Sequence, residues 1–287
     1  MTAELTQLVA VSITEQVSES PFYIPMTGPA TRPRRSLKHD DTFIVLDSHG
    51  DIGASAGGTD GLFNADTRYL ARMEMVLDDV QPLLLGSNLR DDNSALSVDL
   101  TNSDVYRNGK LVLQKDTLHI MRSIFLWRGT AYQRIALQNH GDHLASLALA
   151  LLFDNDLADL FEVRGQRRPR RGIGASRLLG PADVVLEYAG LDRQARITAL
   201  HFDPRPTRLA VNSATYHFDL PPKKIVALFV SVSCNKPAVH KPMAFFRGLL
   251  AHRREMRQST AGGTSIDTSN NIFNEVLCRA MADLNML

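Results

Sequence analysis

Along most of the chain, apolar and polar residues change places with a period of two. Phe43-Ile44-Val45-Leu46 runs into Asp47-Ser48-His49-Gly50-Asp51 and then Ile52. An apolar run closed by such a turn cluster predicts a hairpin. Arg68–Leu77 predicts a further strand, followed by Asp78-Asp79 and the apolar run Leu83-Leu84-Leu85, and Leu96–Leu100 alternates cleanly. His119–Trp127 and Tyr132–Gln138 predict two more strands, split by Arg128-Gly129, with Asn139-His140-Gly141-Asp142 as the next turn. Leu144–Phe153 is apolar on both faces, which predicts a central strand of a sheet covered on both sides. Val184–Tyr188, Ala195–Phe202, Thr215–Leu220 and Ile225–Ser233 complete the series. In the last, Val226, Leu228, Val230 and Val232 share one face and Ile225, Ala227 and Phe229 the other, so it too is expected to be interior. About ten short strands with Gly, Pro, Asn and Asp between them predict a mainly β fold, a large antiparallel sandwich. No βαβ alternation and no repeat of fixed period is seen, which argues against a doubly wound sheet and against a solenoid.

Near residue 242 the period lengthens. Pro242 can open a helix at its first position. Phe246, Leu249, Leu250 and Met256 follow at helical spacing, with Arg247, His252, Arg253 and Arg254 on other faces, and Ala261-Gly262-Gly263 breaks the run. A last helix follows Thr268-Ser269-Asn270-Asn271, which supply cap residues. Ile272, Phe273, Val276, Leu277, Ala280, Met281 and Leu284 form its apolar stripe. An amphipathic helix must cover such a stripe. It either folds back on the sandwich or serves as the first helix of a larger helical domain. The expected organisation is a tail or strap over 1–36, punctuated by Pro21, Pro25, Pro29 and Pro33, a β-sandwich domain over 37–240, and a helical segment over 241–287.

Composition narrows the function classes. The chain has 287 residues, 32 Lys+Arg against 31 Asp+Glu, and a net charge of +1, so nothing in its overall charge predicts a nucleic-acid partner. No stretch approaches the roughly 18 apolar residues of a membrane helix, so no membrane partner is expected. Cys234 and Cys278 form no CxxC and argue against a disulfide scaffold. Glu4, Glu15 and Glu19 make the N-terminus unlike a signal peptide, so a cytoplasmic location is expected.

The chemistry-bearing residues each admit two readings. Asp154, Asp156, Asp159 and Glu162 form an acidic segment, and glycoside hydrolysis needs two carboxylates about 5–10 Å apart with one held protonated. Spacing alone does not supply that pair. The plainer reading is a polar strand-to-helix turn with Asp156 as its cap, and a third pairs Glu162 with Arg164. Asp66 and Arg68 could hold a sugar hydroxyl or fix a loop at a domain interface. The basic run Arg164, Arg167, Arg168, Arg170 and Arg171 lacks interleaved aromatics and reads as a solvated loop or a dock for an acidic surface. Trp127, the single tryptophan, could stack on a sugar ring but is better read as packing. The nine histidines are scattered, His39, His49, His140 and His143 near turns, and form no HxxxH or HExxH set, so no metal and no cofactor is expected.

Several longer segments carry a resemblance. Phe43–Asp47 with Gly50-Asp51-Ile52, Gly61–Leu70, Asp92-Asn93, Val98–Asn102, Phe125-Leu126-Trp127 and Phe153–Gly165 together resemble the N-terminal domain of bacterial glycogen debranching enzymes of the amylo-α-1,6-glucosidase type. Thr268-Ser269-Asn270, Phe273-Asn274-Glu275 and Ala282-Asp283-Leu284 resemble the segment that leads into that family's catalytic barrel. The resemblance runs in order over roughly residues 37–287. It implies a super-sandwich, that is, a large β-sandwich followed by a barrel of paired helices that carries the glycosidase carboxylates. The chain stops one helix into that barrel, so no catalytic residue is carried over and the chain alone is expected to be inactive. Asp66, Arg68, Trp127, Asp159, Glu162 and Arg164 are then candidates for substrate binding or for a domain interface. Expected partners are an α-glucan, and either the helical barrel or a second copy through Ile272, Phe273, Val276, Leu277, Met281 and Leu284. The alternative is a stand-alone α-glucan-binding module.

Overall fold

Tight turns set the topology. Ala65-Asp66, Asp78-Asp79, Asn108-Gly109 and Arg128-Gly129 hold positive φ at both central positions. That backbone follows the right-handed twist of paired strands and closes hairpins with two residues. The computed structural model describes residues 34–53, 58–90, 93–240, 243–261, 266 and 268–286. Most of the expected strap, together with Pro242 and Gly262-Gly263, lies outside these residues.

In chain order, β1 (Arg35–His39), β2 (Thr42–Leu46), β3 (Gly61–Asn64) and β4 (Thr67–Leu70) form one antiparallel sheet. Arg35 and Ser36, at the end of the expected strap, already belong to a strand. The following elements are β5 (Arg72–Leu77), β6 (Leu83–Leu89), β7 (Leu96–Thr101), the small hairpin of β8 (Val105–Arg107) and β9 (Lys110–Leu113), β10 (Leu118–Trp127), β11 (Thr130–Asn139) and β12 (Ala145–Asp154). After the one-turn helix α1 (Leu160–Val163) come β13 (Ile173–Leu178), β14 (Asp183–Ala189), β15 (Ala195–Asp203), β16 (Arg208–Ala210), β17 (Ser213–Leu220) and β18 (Ile225–Cys234). Two helices follow, α2 (Ala244–Ala261) and α3 (Asn271–Met286). No helix among the described residues is long and apolar enough to cross a membrane.

The largest sheet has eight strands in the order β13-β14-β15-β18-β11-β10-β7-β6, and a four-stranded sheet runs β16-β17-β12-β5. Alternate residues of both point into one core. Val98, Ile120, Ile135, Leu200, Leu228 and Val230 of the large sheet are buried with Met75, Leu149, Leu151 and Tyr216 of the smaller one. The rings of Phe153 and Phe202 meet between them at 5.6 Å. The fold is therefore the expected antiparallel β-sandwich with helices after it. β18 is interior, between β15 and β11. β12 is interior as well, but only one of its faces is covered: Leu147, Leu149, Leu151 and Phe153 are buried, Ala148, Ala150 and Leu152 half-buried, and Ser146 exposed. The small alanines on the outer face made the run look two-sided.

One polar group is built into this core. The Arg122 side chain is 0% exposed and pairs with Asp51 at 2.5 Å. Its guanidinium also donates to the carbonyls of His49 at 2.7 Å and Gly50 at 2.8 Å. The Gln133 amide, oxygen inward, accepts from it at 2.7 and 2.9 Å. The Asp47–Ile52 turn is thus riveted to the centre of β10 by a side chain whose donors are nearly all used.

Candidate functional site

The 154–171 segment is held from two sides. Arg68, buried on β4, grips Asp156 with two parallel bonds, one of them Nε to Oδ1 at 3.0 Å. Its Nη1 also donates to the carbonyls of Gly58 at 2.7 Å and Asp60 at 3.2 Å. The Arg68 N–H donates to the Ala158 carbonyl at 2.8 Å, and the Leu160 N–H to the Asp66 carbonyl at 3.1 Å. Asp66 itself is exposed, in the positive-φ turn of the β3–β4 hairpin. Arg68 therefore fixes loops rather than facing an open cleft.

The cap of α1 is Asp159, not Asp156. Its carboxylate accepts from the Glu162 N–H at 2.8 Å, while Glu162 accepts from the Asp159 N–H at 3.3 Å, a reciprocal capping box. Both acids also meet the basic run. Arg168 pairs with Asp159 and approaches Glu162 at 3.7 Å, and Arg171 reaches Glu162 at 3.2 Å. The expected Glu162–Arg164 pair is not what forms, because Arg164 is the exposed C-cap of this single turn and Arg168 and Arg171 fold back instead. Asp159 and Glu162 are spent on capping and arginine contacts, which leaves no free acid–base pair in this segment.

Trp127 ends β10 against α2. Its indole N–H donates to Glu255 at 2.9 Å, and the Arg128 guanidinium lies 5.0 Å over its ring. A face already covered by a cation is not an open platform for a sugar. The Trp127 bond, more than the charges of His39 and Arg128, holds the Glu255 carboxyl below its ordinary range.

The buried face of α2 is displaced by one residue from the expected stripe. Phe245, rather than Phe246, is buried, meeting Phe125 edge-on at 5.1 Å, and Phe125 stacks on Tyr132 at 4.9 Å. Gly248 permits this approach, since a Cβ there would come within 3.2 Å of the Phe125 ring. Leu250 is left exposed, and Phe246 turns to Phe229 at 5.6 Å.

Beside this contact lies a cavity of about 370 Å³, walled by Tyr132, Phe229, Ser231, His201, His240 and Phe246. Its floor is the outer face of the large sheet. Strand register puts Asp183 opposite His201, His201 opposite Ser231, Ser231 opposite Tyr132 and Tyr132 opposite Phe125. One row thus crosses five strands, polar on the first four and ending on Phe125. His201 Nδ1 lies 2.8 Å from Asp183 Oδ1, and His240 Nδ1 lies 3.6 Å from the same oxygen. Ser231 is 6% exposed, and its hydroxyl has no hydrogen-bond partner among the described residues. Burial pushes the Tyr132 phenol up, which keeps it a neutral donor. None of these groups was singled out by sequence. Asp183 and His201 are eighteen positions apart and meet only through the β14–β15 register.

α3 starts on a side-chain cap: the Asn270 carboxamide oxygen accepts from the Phe273 N–H at 3.2 Å. Its apolar stripe is outward. Ile272 is 74% and Leu284 70% exposed, Phe273 and Val276 are exposed too, and Leu277 and Met281 are half-buried.

A family model described as the N-terminal domain of (some) glycogen debranching enzymes matches residues 37–231. No curated protein matches the chain. Among solved structures, one described as a kojibiose phosphorylase from human microbiome aligns at 11% identity and TM-score 0.46, over 86% of this chain and 35% of that one. This chain thus spans about a third of that protein. The Slr1438 protein from Synechocystis sp. PCC 6803 aligns at 9% identity and TM-score 0.46, over 74% of this chain and 99% of the other. A protein described as an aldose 1-epimerase from Escherichia coli K12 aligns at 7% identity and TM-score 0.41, over 70% and 98%.

Proposed function

The chain belongs to the family of N-terminal domains of (some) glycogen debranching enzymes, and on that premise we propose that it is the non-catalytic β-sandwich of a debranching-type glycosidase, bracing a helical catalytic domain. The observation that carries the reading is the outward stripe of α3. Four large apolar residues, Ile272, Phe273, Val276 and Leu284, stand exposed along one capped helix. Surface of that kind is covered by another protein surface in most folded assemblies. A helical catalytic domain, packing helix on helix, is the partner whose ridges fit such a stripe. The acidic segment supports the same view, because Asp159 and Glu162 are committed to capping and to Arg168 and Arg171. The 154–171 loop, held by Arg68, then shapes the side of the sandwich rather than a reaction centre. The two free cysteines, Cys234 and Cys278, support a cytoplasmic place of action.

Two measurements test this. Incubated alone with a branched α-glucan limit dextrin, the chain is expected to release no glucose, and release abolished by Glu162→Gln would overturn the non-catalytic role. Mixed with a separately produced helical catalytic domain of a debranching enzyme, it is expected to co-elute on gel filtration. Val276→Asp, at an exposed position, should abolish co-elution without unfolding the sandwich. Co-elution unchanged by Val276→Asp and Phe273→Asp would refute the assigned surface.

A further inference from the structure

The polar row on the outer face of the large sheet begins with a cluster that its own hydrogen bonding does not explain. Asp183, His201 and His240 each offer one ligand atom, and all three atoms lie within 4.8 Å of one another. We propose that this cluster binds one divalent transition-metal ion of the zinc kind, at the rim of the cavity beneath α2. The inference is independent of the debranching-domain reading.

An ordinary surface ion pair accounts for Asp183 and His201, which face each other across β14 and β15. It does not account for His240. That residue comes from the segment after β18, yet its Nδ1 approaches the same carboxylate oxygen at 3.6 Å, and its ring stands edge-on to His201 at 4.5 Å. Two imidazoles converging on one carboxylate oxygen are the donor set of a zinc site with three protein ligands and an open position. Donors on a tetrahedral zinc, with bonds of about 2.0–2.2 Å, stand roughly 3.3–3.5 Å apart. The contacts of 2.8 and 3.6 Å bracket that spacing and the two imidazole donors lie within 4.8 Å of each other, so a shift of about an ångström would seat the ion. Two of the donors sit on adjacent paired strands, which presets their separation. Only His240 lies outside the sheet and has to adjust.

The second observation is Ser231. His201 and His240 both wall the cavity, so an ion between them has its remaining positions at the cavity rim. Ser231, on β18, lies directly opposite His201 and also walls the cavity, with a buried hydroxyl that finds no protein partner among the described residues. Buried hydroxyls are almost always bonded, and one left alone implies a guest that satisfies it. A water or a hydroxyl-bearing molecule on the open metal position would reach toward that group.

The test uses the full chain without an affinity tag and zinc chloride as the probe. Calorimetry and metal analysis after dialysis are expected to give one zinc per chain, and cobalt(II) in its place should show the visible absorption of tetrahedral coordination. His240→Asn, at an exposed position outside the sheet, should weaken zinc binding by about 100-fold with an unchanged circular-dichroism spectrum. Asp183→Asn should do the same. Cys278→Ser should bind as the native chain does, since that exposed thiol is the competing soft donor. The proposal is overturned by no uptake at millimolar zinc, by uptake that survives both His240→Asn and Asp183→Asn, or by uptake lost in Cys278→Ser.

Discussion

Replacing Arg122 by methionine keeps most of the side chain's length and deletes its charge at the centre of β10. The guanidinium is fully buried and gives bonds to His49, Gly50, Asp51 and Gln133. Removing it strands the Asp51 carboxylate, which among the described residues keeps the Met75 N–H at 3.2 Å and the Gln81 amide at 3.3 Å. Leaving one partner of a buried ion pair alone costs about 3–5 kcal/mol. At roughly 2–4 °C per kcal/mol for a domain of this size, the melting temperature should fall by about 6–20 °C. The charge state of Asp51 supplies an internal check. Burial pushes its carboxyl above the ordinary 3.8, opposed chiefly by the charge of Arg122. Without Arg122 the upward push is opposed chiefly by the Gln81 bond. A carboxyl with a raised folded pKa holds its proton more tightly in the folded state, so acidification favours folding and rising pH removes that advantage. The deficit of Arg122→Met should therefore be largest near neutrality and shrink as pH falls toward the carboxylate range. Urea unfolding followed by circular dichroism at several pH values measures it. The double variant Arg122→Met/Asp51→Leu should recover part of the loss, since both charges are then gone. A single-variant cost under about 1 kcal/mol, well short of the buried-pair range, or a deficit that does not change with pH, would refute this account of the rivet.

Other outcomes follow from the same contacts. Glu255 is held below its ordinary 4.5, chiefly by the Trp127 N–H, so its contribution to stability is complete above that value and is lost as pH falls through the lower folded value. Emission from Trp127 should change with a midpoint below 4.5, and that step should vanish in Glu255→Gln. A midpoint at or above 4.5 would contradict the bond. Thiol titration should find one prompt group, the exposed Cys278, while Cys234, pushed up to about 12 by burial, reacts only after unfolding. Two prompt thiols would show the β18 end to be open. Arg68→Leu should lower stability by about 1–3 kcal/mol and speed proteolysis within residues 164–171, because Asp156 and the 58–60 carbonyls lose their common donor. Unchanged stability and unchanged cleavage would dismiss Arg68 as a positioning residue.

The long strands were legible because their core faces obey the period of two. Leu96–Leu100, His119–Trp127 and Ile225–Ser233 fall within one or two residues of β7, β10 and β18. The strands that were missed carry little alternation. β13 is exposed along its whole length, and β8, β9 and β16 are three or four residues long and mostly solvent-facing. For these, pairing with a neighbour decides the structure, and a partner's register is not written in the segment itself. The same limit explains β3. Gly61 there must lack a side chain because a Cβ would fall within 2.5 Å of the Arg68 side chain, so the glycine marks a close crossing rather than a loop.

Site chemistry was less legible than fold, and for a related reason. Local spacing predicts a capped turn in the acidic segment from Asp154 to Glu162, and the structure has one, with its cap three positions later than Asp156. Glu162 favours Asp159 because the box needs the acid three residues before it, whereas Asp156 answers to Arg68, 88 positions away in the chain. Groups that meet only across strands left no local trace. Arg122 reads as one polar residue in an apolar strand until the Asp47–Ile52 turn is seen folded over it. The α2 face shifted from Phe246 to Phe245 because Gly248 lets the helix settle on Phe125, and a stripe drawn by hydrophobicity alone gives a glycine no weight. That shift has a consequence for the cavity. With Phe245 buried, Phe246 becomes a wall rather than a plug, and the row from Asp183 through His201 and Ser231 to Tyr132 keeps an open space above it. Placing bulk at Gly248 should therefore lift α2 and alter the cavity while leaving the cluster of Asp183 and His201 on its strands. Zinc binding that persists in Gly248→Val would locate the metal in the sheet's own register and not in the helix that covers it.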